Sequence, residues 1–166
     1  MKRKTTVHCL AVCTFVIICL AFPGCRTEGT YICALIDGSE WNLADEPQTI
    51  RYRAEYNEID NQLMVQGWSN NPEYVSGLVI QIANPGKGTH NLGKSSNNQA
   101  RIWIIQQGKK NLYRTGKDSC DGMLRITEFS DTCVAGAFSY IATDDKGIKI
   151  SLKKGKFRMP LDLLDF

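Results

Sequence analysis

From Tyr31 onward, no window of eleven or more residues spaces its apolar side chains at the period of a helix. What recurs is alternation. Ile50, Tyr52, Ala54 and Tyr56 share one face of an extended chain, and Arg51, Arg53 and Glu55 share the other. That period of two marks a half-buried strand. Residues 31–36, 63–68, 78–82 and 100–105 are further short apolar runs, the first ending in the turn dipeptide Asp37-Gly38. Residues 123–129 and 134–142 flank Ser130-Asp131-Thr132 and read as a hairpin. Residues 148–153 and 156–159 close the series. About nine strands separated by polar turns predict an all-β fold, an antiparallel β-sandwich or β-barrel. The longest polar connections expected are 69–76, 84–98 and 109–121.

The first 25 residues obey different rules. Lys2-Arg3-Lys4 is a charged start, residues 7–22 are mostly apolar without a charge, and Pro23-Gly24-Cys25 breaks the run. Charged, apolar and cleavage regions in that order are the layout of a bacterial export signal. As a helix the apolar run reaches about 24 Å, short of the roughly 30 Å hydrocarbon core. Gly24 before Cys25 resembles the junction of a lipoprotein signal, although Phe22 and Pro23 depart from the usual small residue two before the cysteine. The expected organisation is a lipoprotein-type signal peptide at 1–24, a short tether at 25–30 and a single β domain at 31–166. Lipid on Cys25 would hold the chain to the outer membrane, each buried CH2 adding about 0.8 kcal/mol.

Removing that segment changes the charge balance. Of 20 Lys and Arg, three are Lys2, Arg3 and Lys4, and the 17 that remain match the 17 Asp and Glu. A neutral chain lacks the basic excess that nucleic acid requires, so no nucleic-acid partner is expected. Cys9, Cys13 and Cys19 fall in the signal, which leaves Cys33, Cys120 and Cys133 beside Cys25. Export would put these three where disulfides form, and three thiols allow three single pairings with one left over. There is no CxxC, and His90 is the one histidine after the signal. No metal site and no cofactor is expected.

No GxSxG, HExxH, P-loop or GxGxxG spacing occurs. Asp118 with Asp121, and Asp144 with Asp145, lie in turn-like stretches where Asp serves local hydrogen bonding. No catalytic residue is assigned. The remaining chemistry is aromatic: Trp68 and Tyr74 bracket Asn70 and Asn71 in one polar stretch. Rings beside amides hold sugars by stacking and hydrogen bonding. The expected ligand contacts are therefore Trp68, Asn70, Asn71 and Tyr74, with His90 from the 84–98 connection.

Four ordered segments resemble an uncharacterised family of small Bacteroidota lipoproteins, a domain of unknown function. They are residues 34–41, ending in Trp41; Gly88-Thr89-His90-Asn91-Leu92, similar to that family's Gly-Thr-Tyr-x-Leu; residues 122–129; and residues 134–142 followed by Ile148-x-Ile150 and Gly155-x-Phe157. The resemblance implies an all-β envelope lipoprotein and brings no catalytic residues. Within these segments Trp41 is expected to plug the core beneath the first turn. Gly136 is expected at a bulge or a close backbone approach. Leu124 and Ile126 should face Val134, Gly136 and Phe138.

Together these features predict a lipid-anchored cell-envelope β-domain acting as a non-enzymatic binding or interaction module. Its partners would be the membrane, through Cys25, and a glycan or an envelope protein. The competing readings are an envelope glycan hydrolase and a protein-binding assembly or inhibitor lipoprotein.

Overall fold

Asp37 and Gly38 both hold positive φ, +47° and +88°. That is the type I′ turn, whose twist matches two antiparallel strands. It joins β1 (Tyr31–Ile36) to β2 (Ser39–Asn42), with Ile36 opposite Ser39. Asp37 is tied down twice more, its N–H donating to the Ser151 carbonyl at 2.9 Å and its Oδ1 accepting from the Ser151 N–H at 2.8 Å.

The computed structural model describes residues 29–42, 50–69, 75–106, 108–116 and 121–164. The signal at 1–24, Cys25, Asn70, Asn71, Tyr74, Asp118 and Cys120 lie outside the described residues. The further strands are β3 (Ile50–Asn57), β4 (Gln62–Ser69), β5 (Val75–Ala83), β6 (Gly88–Leu92), β7 (Gln99–Gln106), β8 (Lys109–Arg114), β9 (Gly122–Phe129), β10 (Cys133–Thr143) and β11 (Lys149–Leu164). No helix occurs among the described residues.

The strands bond in the order β2-β1-β11-β3-β4-β5-β7-β8-β10-β9-β6, with β10 also bonded to β11. The sheet therefore closes on itself through β11, β3, β4, β5, β7, β8 and β10, a barrel-like sandwich. One closure is the parallel pairing of Leu161–Leu164 with 54–57 of β3, and the other is the bridge between Thr143 and Arg114. β3, β4, β5, β7 and β8 form one arc. β2, β1, β11, β10, β9 and β6 form the other. The interior between them holds Ile32, Leu63, Leu78, Ile80, Ile102, Leu124, Leu152 and Phe157, all fully buried. Each such side chain contributes about 1.5–3 kcal/mol.

Two glycines in β10 and β11 are places for rings. Gly136 lies opposite Phe157, and Phe138 lies opposite Gly155. A Cβ on Gly155 would sit 2.3 Å from the Phe138 ring, and one on Gly136 would sit 2.4 Å from the Arg125 carbonyl. The register also shifts between Ala135 and Gly136, so Gly136 is both the bulge and the close approach that its sequence context predicts. Leu124 pairs with Phe138 and Ile126 with Gly136, as the hairpin reading requires. Trp41 is buried in the core.

Other expectations need correction. Eleven strands stand where about nine were expected. The 84–98 connection contains β6, and the 109–121 stretch contains β8. Both are edge-like or polar strands with few apolar residues to reveal them. The 69–76 loop is shorter than expected, because β4 runs to Ser69 and β5 begins at Val75. The two closing strands are one, β11. Lys154-Gly155 reads as a break, but Lys154, at φ +53°, forms a bulge that both β1 and β10 skip.

Candidate functional site

The registers of β4, β5, β7 and β8 set out rows of side chains on the outer face of their arc. One row runs Trp68, Gly77, Trp103, Leu112. A Cβ on Gly77 would lie 1.9 Å from Cζ2 of Trp103, 2.3 Å from Cε2 and 2.5 Å from Cη2. Those distances describe a point directly above Cζ2, so the six-membered ring of Trp103 lies face down on the Gly77 backbone. Only glycine leaves room for it. The Lys110 ammonium stands 5.8 Å from the ring centroid. Trp68 is half-buried on the other side of Gly77. With strands about 4.8 Å apart, the two tryptophan backbones are separated by about 10 Å.

The next row runs Gln66, Val79, Arg101, Arg114. Arg101 and Arg114 are direct cross-strand partners, and neither forms an ion pair among the described residues. The Arg101 Nε is buried and has no hydrogen-bond acceptor. Beyond them a ladder of amides crosses three strands: Gln99 Nε2 donates to Gln81 Oε1 at 3.3 Å, and Gln81 Nε2 to Gln62 Oε1 at 2.7 Å. The carboxylate on this face, Glu55, is held by Arg53 at 2.6 Å, and Arg53 also reaches Asp162 at 3.3 Å.

A second concavity opens beside the β1–β2 turn. This cleft of about 390 Å³ is lined by Asp37, Glu40, Trp41, Asn111 and Tyr113 among others. Trp41 is among its lining residues and donates its indole N–H to Ser76 Oγ at 2.8 Å. Burial pushes the Tyr113 phenol above its ordinary pKa, and the negative charges of Asp144 and Asp37 push it further. It is a proton-bearing donor at neutral pH. The Asp37 carboxylate is occupied with the Ser151 amide.

Of the ligand contacts expected from sequence, Trp68 and His90 fall among the described residues, and the fold does not bring their strands side by side. Trp68 is on β4, and His90 is on β6 at the end of the strand order. His90 Nε2 donates to the Gly86 carbonyl at 2.8 Å, which assigns the proton to that nitrogen. Asp144 caps its own turn, its Oδ1 accepting from the Lys146 and Ile148 amides at 2.9 and 2.8 Å. No group of three metal-ligating side chains occurs among the described residues.

Cys33 is held in a disulfide, while Cys133 is a free thiol. The Cys33 partner therefore lies outside the described residues. Burial raises the Cys133 pKa, which disfavours the reactive thiolate. Nearby, Arg158 makes a two-pronged ion pair with Glu128. The arginine holds the Glu128 carboxyl below its ordinary range.

Sequence reasoning missed Trp103, Gly77, Arg101 and the glutamine ladder. Their signal was present, because Gln99, Arg101, Trp103 and Ile105 alternate with Ala100, Ile102 and Ile104. The cross-strand rows depend on register, which one sequence does not display.

Residues 46–159 match the model of a family described as a domain of unknown function, DUF6252. Three of the four segments singled out in the sequence lie inside that match, and the first, 34–41, precedes it. No curated protein and no solved structure matches the chain.

Proposed function

The chain belongs to the DUF6252 family, and from that premise we propose that it is a non-enzymatic binding module of the cell envelope that holds a glycan on the outer face of β4, β5 and β7. The observation that carries this reading is Trp103 lying face down on Gly77 beside Trp68. A ring fixed in that way offers a flat apolar surface at little entropic cost. The amides of Gln62, Gln66, Gln81 and Gln99 share the face and can bond sugar hydroxyls. Each stacked ring adds about 1 kcal/mol beyond area burial, so affinity falls between about micromolar and millimolar.

Envelope placement is part of the proposal. The 1–24 signal, palmitate-type lipid on Cys25 and the kinship with small Bacteroidota lipoproteins rest on sequence layout. The Cys33 disulfide supports export, because such bonds persist in oxidising compartments. One acceptor on the β6 edge is already engaged and is not offered to a partner that adds a strand. The Asn91 carbonyl there already accepts from Ser96 Oγ at 2.8 Å and Asn98 Nδ2 at 2.9 Å.

A glycan-array screen of the full-length protein in detergent micelles tests the function. Binding should be found and should be lost in Trp103→Ala variants that remain folded; a blank array, or unchanged binding by the variant, contradicts it. Palmitate labelling and membrane fractionation of wild type and Cys25→Ala test the anchor, and identical behaviour of the two contradicts it.

A further inference from the structure

We infer that the ligand of the outer face is an acidic glycan, whose uronate carboxylate sits between Arg101 and Arg114. This rests on the glycan reading and adds the charge of the sugar. Like charges directly opposite each other on paired strands are destabilising, yet Arg101 and Arg114 are direct partners on β7 and β8. No acidic side chain among the described residues pairs with either. Glu55, the carboxylate of the same face, is already bound by Arg53.

The Arg101 Nε is buried without an acceptor, while the residue as a whole is partly exposed, so an arriving anion meets the outer nitrogens of its guanidinium. An anion at this place offsets the charge of both arginines.

The rest of the face says which anion. A guanidinium binds a planar carboxylate through two parallel hydrogen bonds. Trp103 lies in the row beside Arg101, two residues along β7, and Lys110 stands over its ring. On the other side of Arg101 come Gln99 and Gln81. Gly77 covers one face of the Trp103 ring, so a pyranose stacks on the other by displacing the exposed Lys110 ammonium, and it can place a ring carboxylate toward Arg101 and hydroxyls toward the amides. A lipid headgroup would use the cations alone and leave the ring and the ladder without a role.

The test is titration calorimetry of the full-length protein in uncharged detergent with oligomers of galacturonate, glucuronate and mannuronate, each compared with its methyl ester. The ester keeps the ring and hydroxyls and removes the charge. At least one acid should bind about tenfold or more tighter than its ester, with the gap narrowing as salt rises. Arg101→Gln and Arg114→Gln should each erase most of that gap. Thermal unfolding provides a second readout: the acid should raise the midpoint of wild type and not of the double variant. Equal binding of acid and ester overturns this inference and leaves the glycan reading standing. Binding of neither overturns this inference, and binding only to phosphatidylglycerol vesicles overturns both in favour of a membrane-facing surface.

Discussion

The Trp41 indole N–H donates to Ser76 Oγ at 2.8 Å, with Ser76 fully buried and Trp41 nearly so. The bond crosses the interior from β2 to β5 and ties the first hairpin to the opposite arc. A buried indole N–H without an acceptor costs about 1–3 kcal/mol. Ser76→Ala should lower unfolding free energy by that amount in urea titrations. Trp41→Phe combined with Ser76→Ala should cost less than the two changes summed, because one partner is lost with the other. Strict additivity would mean that the bond does not form in solution.

The Phe138 and Gly155 pair tests the core. Phe138 is 3% exposed, while Lys153 is exposed. Phe138→Ala should cost about 3–5 kcal/mol, and Lys153→Ala should stay within about 0.5 kcal/mol. Gly155→Ala should also destabilise, since its Cβ would meet the Phe138 ring at 2.3 Å. Matching denaturation midpoints for wild type and Phe138→Ala would refute the register of β10 and β11.

How much of this was readable beforehand follows from the physics of strands. The alternation around Tyr52, the Asp37-Gly38 turn and the hairpin at 130–132 are local signals, and each appears in the fold. β6 and β8 have few apolar residues and take their strand form from β9 and β7, so local patterning could not show them. The Lys154 bulge looks like a turn until its two neighbouring strands are present. Trp68 was readable as an aromatic beside amides. Its relation to Gly77 and Trp103 depends on the registers of β4 with β5 and of β5 with β7.

The Tyr140 hydroxyl is buried and unpaired, and desolvation raises its pKa well above the ordinary 10.0. Removing an unsatisfied hydroxyl should be neutral or stabilising by about 1 kcal/mol in Tyr140→Phe. The pH dependence has a definite sign. The unfolded tyrosine ionises near its ordinary pKa while the folded one stays neutral, so stability is present below pH 10 and falls as pH rises through that value. Tyr140→Phe should lose this tyrosine's share of the fall, as read from midpoints across the alkaline range. An unchanged alkaline slope would contradict the burial of the hydroxyl.

Arg114→Gln should raise the stability of the ligand-free protein by a few tenths of a kcal/mol, to about 1 kcal/mol, by relieving the cross-strand repulsion with Arg101. Differential scanning calorimetry at low and high salt checks this. The gain should shrink as salt screens the pair. A loss of stability would mean that an unseen acid already compensates the arginines.

Cys133 is free and Cys33 is disulfide-bonded, so under the proposal that Cys25 carries lipid, Cys120 is the cysteine of the 31–166 domain left to pair with Cys33. Non-reducing peptide mapping of the membrane-extracted protein should recover a 33–120 linked peptide. A 25–33 linkage would remove the lipid site and the anchor with it.

The glycan surface is tested most directly by the indole N–H resonances of the three tryptophans, Trp41, Trp68 and Trp103, during titration with the uronate oligomers. Trp68 and Trp103 belong to the outer face, while Trp41 lines the cleft and is bonded to Ser76. The account predicts that the Trp68 and Trp103 signals move together along one binding curve while Trp41 stays still. Movement of Trp41 with the other two unmoved would place the ligand in the cleft and contradict the account.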